Sequence, residues 1–261
     1  VTGSLDYRAL MSAIGPRTRV LAIGAASNAL GTITDVREAA GKAREHGALV
    51  FVDAVHYAPH ALIDVQDMGC DFLACSAYKF YGPHIGVLYA RREVAARLDL
   101  PRLEPAPSDP PESLETGTQN HEGIVGAAAA VEWFASTGGD AGTRRQRLTN
   151  AYHEAHLRGE ALLEAMWEGL SGIDGVRLYG PPPGTPRTPT VAFTVNGAAS
   201  ETVAKHLAAS GVFASHGDFY AATVIERYGQ AAEGVVRAGC AIYTSAEEVE
   251  RLLAAVRTVR R

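Results

Sequence analysis

Lysine is scarce in this chain: of 24 basic residues only Lys42, Lys79 and Lys205 are lysines. Lys42 and Lys205 sit in amphipathic, charge-rich stretches and read as solvated. Lys79 lies in Ser76-Ala-Tyr-Lys-Phe-Tyr-Gly-Pro83, flanked by aromatics. An amine withdrawn from water there has its ammonium form disfavoured, as a lysine that attacks a carbonyl requires. The competing reading is a lysine whose stem lies on the tyrosines while its head reaches water. Three other groups invite attention: Asn28, Asp53 and Ser76, a carboxamide, a carboxylate and a hydroxyl. Asp53 alone also reads as a cap on the next turn, the commoner use of an aspartate at a strand end.

The elements that must position these groups follow from apolar runs and caps. Arg19-Val-Leu-Ala-Ile-Gly-Ala25 is short, β-branched and apolar, a buried strand. Asn28, Gly31 and Thr32 make a turn, and Asp35 with Glu38 three residues on predicts a reciprocally capped helix ending at Gly47. Ala48–Asp53 is a second buried strand and Phe72–Ser76 a third; Gly82-Pro83-His84 then turns the chain into an antiparallel return, Gly86–Ala90. Strand, helix, strand with short links implies a parallel sheet. Ligands of such sheets bind outside the carboxyl ends of the strands, which puts Asn28, Asp53 and Ser76 to Lys79 at one rim. A carboxylate, a carboxamide, a hydroxyl and an amine suit a cofactor bearing a phosphate, a ring nitrogen and an aldehyde.

The remainder is organised differently. Residues 100–111 are proline-rich and irregular; an Ala-rich helix spans about 123–136, and a long helix about 144–170. Strands follow at 176–179, 190–195 and 235–242, with a helix after Ser200 and a last one capped by Ser245 with Glu248. This is a smaller α+β domain. The first parallel strands have an uncovered edge and no preceding β-α unit, which points to an N-terminal portion outside this sequence.

Composition bounds the function. The 261 residues are 47% hydrophobic and 20% charged, a globular balance able to bury a core. A net charge of -5 offers no phosphate-neutralising surface, so nucleic acid is not an expected partner. No apolar run reaches the roughly 18 residues of a membrane span, and no leader pattern opens the chain. Three cysteines, Cys70, Cys75 and Cys240, are too few for a disulfide scaffold and favour a reducing cytoplasm. No metal site is expected: His153 and His156 lack the zincin spacing, His56 and His60 are separated by Pro59, and Cys70 and Cys75 lack a second pair.

Five segments taken together resemble the pyridoxal-phosphate enzymes of aminotransferase class V, the cysteine desulfurase-like group: Asn28-Ala-Leu-Gly-Thr-Ile33, Asp53-Ala-Val-His56, Ser76–Pro83, Glu115-Thr-Gly-Thr-Gln-Asn120 and Val236-Arg-Ala-Gly-Cys-Ala-Ile-Tyr243. The resemblance implies the α/β fold type I of those enzymes, a parallel-dominated sheet with helices on both faces plus a small C-terminal domain. Residues 1–105 would be the later part of the large cofactor-binding domain, 106–143 a crossing segment and interdomain helix, and 144–261 the small domain. It implies pyridoxal 5'-phosphate in Schiff-base linkage to Lys79, the catalytic residue that also moves the substrate's α-proton. Asp53 would pair with the ring nitrogen, Asn28 and His56 would lie near the phenolic oxygen, and Ser76 would donate to the phosphate. Tyr78 stands where a phosphate-contacting histidine is common, and Thr118 where a threonine reaches the phosphate of the neighbouring subunit, implying a homodimer with shared sites. Arg237 resembles the arginine that grips the substrate α-carboxylate.

Two departures qualify the resemblance. The loop before that arginine, Ser215-His-Gly-Asp-Phe-Tyr220, lacks the nucleophilic cysteine of the desulfurases. His216, Asp218 or Tyr220 would supply substrate contacts instead. The aromatic that stacks on the pyridine ring and the turn that cradles the phosphate are expected before residue 1. The expected function is thus a transferase or lyase acting on an amino acid or related amine, of the C–S lyase, epimerase or transaminase type. A true desulfurase working through a persulfide is the runner-up, and a non-catalytic fragment or assembly module is the reading from another class.

Overall fold

A computed structural model describes residues 2–115 and 117–260. The described residues form two compact units. Of the described residues, one unit comprises those of 6–25 and 35–152, and the other those of 2–5, 26–34 and 153–260.

The first unit holds α1 (Tyr7–Ala13), β1 (Val20–Gly24), α2 (Val36–Glu45), β2 (Leu49–Asp53), α3 (Val65–Met68), β3 (Phe72–Ser76), β4 (Gly86–Ala90), α4 (Arg92–Ala95), α5 (His121–Ser136) and the start of α6 (Arg144–Ser171). Its sheet has the order β1-β2-β3-β4, the first three parallel and β4 antiparallel to β3. The register rows Gly24, Asp53 and Ala74 across adjacent strands, so the carboxyl ends of β1, β2 and β3 share one edge. α2 lays Val36, Ala39, Ala40 and Ala43 on the sheet, spaced so that one stripe faces inward. Alanine there lets the helix sit close over Val50 and Val52, which are fully buried in the same core. Asp35 caps α2, but its carboxylate accepts from the Arg37 amide at 3.1 Å, so the reciprocal Asp35/Glu38 box does not form.

A buried carboxylate ties three strands of this sheet. Asp71, 4% exposed, accepts from the Val50 amide at 2.8 Å and pairs with the Arg91 guanidinium, while its carbonyl accepts from the Arg91 amide.

The second unit receives the rest of α6 and adds β5 (Val176–Tyr179), β6 (Thr190–Val195), α7 (Ser200–Ala209), β7 (Ser215–Gly217), α8 (Ala222–Arg227), β8 (Val235–Gly239) and α9 (Ala246–Arg257). Its antiparallel sheet has the order β5-β6-β8-β7. One face is covered by Leu162, Leu163, Met166 and Leu170 of α6 and by Val249 and Leu252 of α9, which meet Val191, Phe193 and Val236. Alternation along the strands puts Ala192 and Val235 on the other face, against Leu30, Tyr179 and Ile225.

Leu30 belongs to the Ala26–Thr34 strap, which is pinned within this unit. Thr188 donates to the Gly31 carbonyl at 2.8 Å and Ile33 donates to Pro186 at 3.0 Å. Arg187, 5% exposed, donates from one nitrogen to the Leu30 and Thr190 carbonyls, and burial pushes its guanidinium down to about 10. Gly31 sits at φ +79° with Thr188 Oγ1 2.8 Å from where a Cβ would stand, so only glycine fits.

Two expectations from the sequence change here. β8 stops at Gly239 rather than at residue 242, because the Cys240 amide turns to the Pro189 carbonyl and Ala241 to Thr244 enters a hydrogen-bonded turn. The segment read as the loop Ser215–Tyr220 contributes its first three residues as edge strand β7.

Candidate active site

In the first unit, Asp53 is the last residue of β2 and is exposed, with one carboxylate oxygen accepting from the Val55 amide at 2.9 Å. Ser76 ends the adjacent parallel strand β3, two residues beyond Ala74, the register partner of Asp53. The chain then winds into a single 3-10 turn, Ala77–Phe80, closed by Tyr81 at φ +71° and by Gly82, whose amide bonds back to Ala77. That turn carries Lys79 to the sheet edge, half-buried, with its Nζ 5.1 Å from the centre of the Tyr78 ring. Tyr78 stacks on His84, 4.8 Å between centroids and 13° between planes. The Lys79 amine therefore rests on a fixed aromatic face. Among the described residues the lysine ion pairs are those of Lys42 and Lys205, and none engages Lys79. What the structure sets over the Tyr78 ring is the amine itself, and no carboxylate among the described residues pairs with it.

His56 lies three residues after Asp53 and packs edge-on against His60, 5.3 Å away. Burial pushes the His60 imidazole down to about 4. Thr118 is exposed in the segment before α5; its neighbour in the motif, Thr116, lies outside the described residues.

In the second unit, β8 alternation places Arg237 on the Val235 face, among the residues that include Phe219. Its Nη1 donates to the Asn28 carbonyl at 2.7 Å, and its guanidinium lies 4.3 Å from the centre of the Phe219 ring. The Asn28 carboxamide donates to the Phe219 carbonyl at 2.7 Å. Burial lowers the Arg237 guanidinium from its usual value, and no carboxylate among the described residues pairs with it. A partly desolvated cation with no counter-ion is a receptor for an anion. His216 stands on β7, exposed, opposite Val236.

The residues expected at the site thus fall into two groups. Asp53, His56, Ser76, Tyr78, Lys79 and Thr118 belong to the first unit; Asn28, His216 and Arg237 belong to the second. Asn28 carries its side chain to Phe219, a residue that sequence reasoning passes over. The only signal for it is faint: an aromatic beside a glycine-aspartate turn, 18 residues before the arginine.

The cysteines offer no exposed thiol. Cys70, Cys75 and Cys240 are 3%, 9% and 6% exposed, and burial raises all three thiols, Cys240 to about 11. Among the described residues no cluster of three or more His, Cys, Asp or Glu is placed to hold a metal, and no helix is long and apolar enough to cross a membrane.

Comparison with known proteins decides the family. The sequence profile described as Aminotransferase class-V matches residues 1–252. The chain belongs to that family. Pyridoxal phosphate is the cofactor of these class-V enzymes. A probable cysteine desulfurase of Xylella fastidiosa is 33% identical over 99% of this chain and 61% of its own length. A probable cysteine desulfurase 2 of Mycobacterium leprae is 35% identical over 97% of this chain and 60% of its own. Among solved structures, the apo cysteine desulfurase of Thermococcus onnurineus superposes with a TM-score of 0.86 at 29% identity, covering 98% of this chain and 63% of the other. A cysteine desulfurase of Escherichia coli gives 0.83 at 28% identity, with 98% and 62% covered. The chain spans about three-fifths of the length of the class-V relatives it matches. The family's fold is the one expected from the motifs, a parallel-dominated α/β sheet followed by a smaller α+β unit.

Proposed function

We propose that this chain holds pyridoxal phosphate at Lys79 and acts on an α-amino acid. The observation that carries the reading is the Lys79 amine, half-buried, seated on the Tyr78 ring, unpaired with any carboxylate among the described residues, and one short turn beyond the strand next to Asp53. The donor set suits the group. A primary amine matches its aldehyde, an exposed strand-end carboxylate matches its ring nitrogen, and a strand-end hydroxyl matches its phosphate. When bound, pyridoxal phosphate supplies an aldehyde and a protonated ring that draws electrons from a bond at the substrate's Cα.

The chain's own residues then divide the work. Asp53 would hold a proton on the ring nitrogen by its negative charge. Ser76 would donate its hydroxyl to the phosphate, with Tyr78 and Thr118 assigned to the same end, Thr118 across a homodimer interface. His56 and Asn28 are assigned to the phenolic oxygen. Lys79, once its amine is free, takes a proton at the substrate's Cα and returns it where the reaction requires. Arg237 would receive the α-carboxylate, a planar fork suited to two oxygens, whereas His216, opposite Val236, lies on the other face of that sheet.

The reaction favoured is C–S lyase, epimerase or transaminase chemistry. Persulfide transfer needs a thiolate that can reach the substrate sulfur. The Ser215–Tyr220 segment has no cysteine, and all three thiols are buried and shifted toward the protonated form. Persulfide transfer remains the second reading because the Xylella fastidiosa and Mycobacterium leprae relatives are named probable cysteine desulfurases.

The test is turnover of L-cysteine with all products followed. Sulfide with pyruvate and no sulfur left on the protein supports β-elimination. Alanine with a persulfide on Cys240, seen by mass spectrometry, supports the second reading. A Lys79→Ala variant that retains either activity overturns the assignment of Lys79. Light scattering of the loaded protein checks the homodimer.

A further inference from the structure

Arg237 is held in a closed arrangement of three residues far apart in sequence. Its Nη1 bonds to the Asn28 carbonyl, the Asn28 carboxamide bonds to the Phe219 carbonyl, and the Phe219 ring lies under the guanidinium at 4.3 Å. Each of the three fixes the next. The turn that carries Phe219 is itself unusual: Phe219 and Tyr220 have φ of +57° and +58°, two consecutive non-glycine residues in the left-handed region. Side chains with a Cβ rarely adopt that region, and where they do the surroundings over-determine it. Three contacts do so here. Asp218 accepts from the Tyr220 amide at 3.0 Å, β7 is paired to β8 directly before the turn, and Asn28 holds the carbonyl between. Asn28 in turn rides on the strap pinned by Arg187 and Thr188.

The outcome is directional. One face of the guanidinium is closed by the ring and Nη1 is engaged. Nε and Nη2 make no hydrogen bond among the described residues, so one edge of the fork stays open. A phenyl face attracts the cation without competing for its N–H groups. A carboxylate in this place would have competed, and would have cancelled the charge.

We propose that Phe219 is the positioning residue of Arg237, closing one face of the guanidinium so that it takes a carboxylate edge-on through Nε and Nη2. The proposal rests on the reading of Arg237 as the substrate-carboxylate group, and adds a residue that acts on substrate only through that arginine.

The test labels arginines with phenylglyoxal and maps them by mass spectrometry, in the parent chain and in Phe219→Leu and Phe219→Tyr, with and without L-alanine. Exposed Arg251 serves as the internal rate standard and buried Arg187 as the report on unfolding. The expected result is slow labelling of Arg237 in the parent, slowed further by L-alanine. In Phe219→Leu, Arg237 labels about fivefold faster relative to Arg251, half-protection needs about five- to tenfold more L-alanine, and Arg187 stays unlabelled. Phe219→Tyr behaves as the parent. In turnover, Phe219→Leu raises KM more than it lowers kcat.

Equal labelling and equal protection in the parent and Phe219→Leu overturn the proposal. So does faster labelling accompanied by Arg187, which assigns Phe219 to folding alone. If Phe219→Leu speeds labelling but L-alanine protects in no variant, the positioning role stands and the carboxylate reading fails.

Discussion

Acidification from pH 7 to pH 4 is expected to cost the first unit about 3 kcal/mol through His60 alone. His60 follows Pro59 in the turn after β2, packed edge-on against His56, and burial pushes its imidazole from 6.5 down to about 4. The direction follows from proton uptake. Between pH 6.5 and pH 4 the unfolded chain protonates His60 while the folded chain keeps it neutral, so the unfolded state binds more protons and stability falls as pH falls. The contribution is fully present above 6.5 and is lost progressively down to the folded value near 4. A displacement from 6.5 to about 4 amounts to about 3 kcal/mol. Carboxylates add their own acid sensitivity, so the assay is a difference: urea unfolding of the parent and of His60→Gln at half-unit steps from pH 7 to pH 4. The variant loses some packing at neutral pH, yet its stability should fall by about 3 kcal/mol less across the window. Parallel curves for the two proteins would refute the burial argument.

Other expectations concern packing and thiols. Asp71→Ala leaves the Arg91 guanidinium and the Val50 amide without their shared partner between β2, β3 and β4. It should destabilise the chain by about 3 kcal/mol, read as a lower urea midpoint with an unchanged slope. Cys240, at 6% exposure with its thiol raised to about 11, should resist a disulfide reagent at pH 8 in the folded chain and react at once in urea. Prompt labelling of native Cys240 at pH 8 would reopen the persulfide reading.

The strand-end residues are legible because parallel-sheet chemistry is local. Asp53 and Ser76 close apolar runs, and the 3-10 turn bearing Lys79 follows directly, so order along the chain determines place at the sheet edge. The Ser245/Glu248 box is legible for the same reason and forms as expected, with both hydrogen bonds made. The similar pattern at Asp35 and Glu38 is not decisive, since an aspartate carboxylate can satisfy the nearer Arg37 amide instead. β7 leaves no trace in the pattern because its three residues, two of them exposed, carry no apolar alternation and owe their extension to pairing with β8. The six-residue α8 is too short for a period to register. The partners of Asn28 lie 191 and 209 residues away, and no spacing rule reaches that far. The motifs single out Asn28 and Arg237; only the fold supplies Phe219 between them.

The central claim is that one of three lysines carries the cofactor. Incubating the chain with pyridoxal phosphate, reducing with borohydride and mapping the pyridoxyl group by peptide mass spectrometry tests it directly. The account predicts the label on Lys79 in large excess over Lys42 and Lys205, both of which pair with nearby carboxylates, and no such excess at any site in Lys79→Arg. Label spread evenly over the three lysines, or concentrated on Lys42 or Lys205, would contradict it.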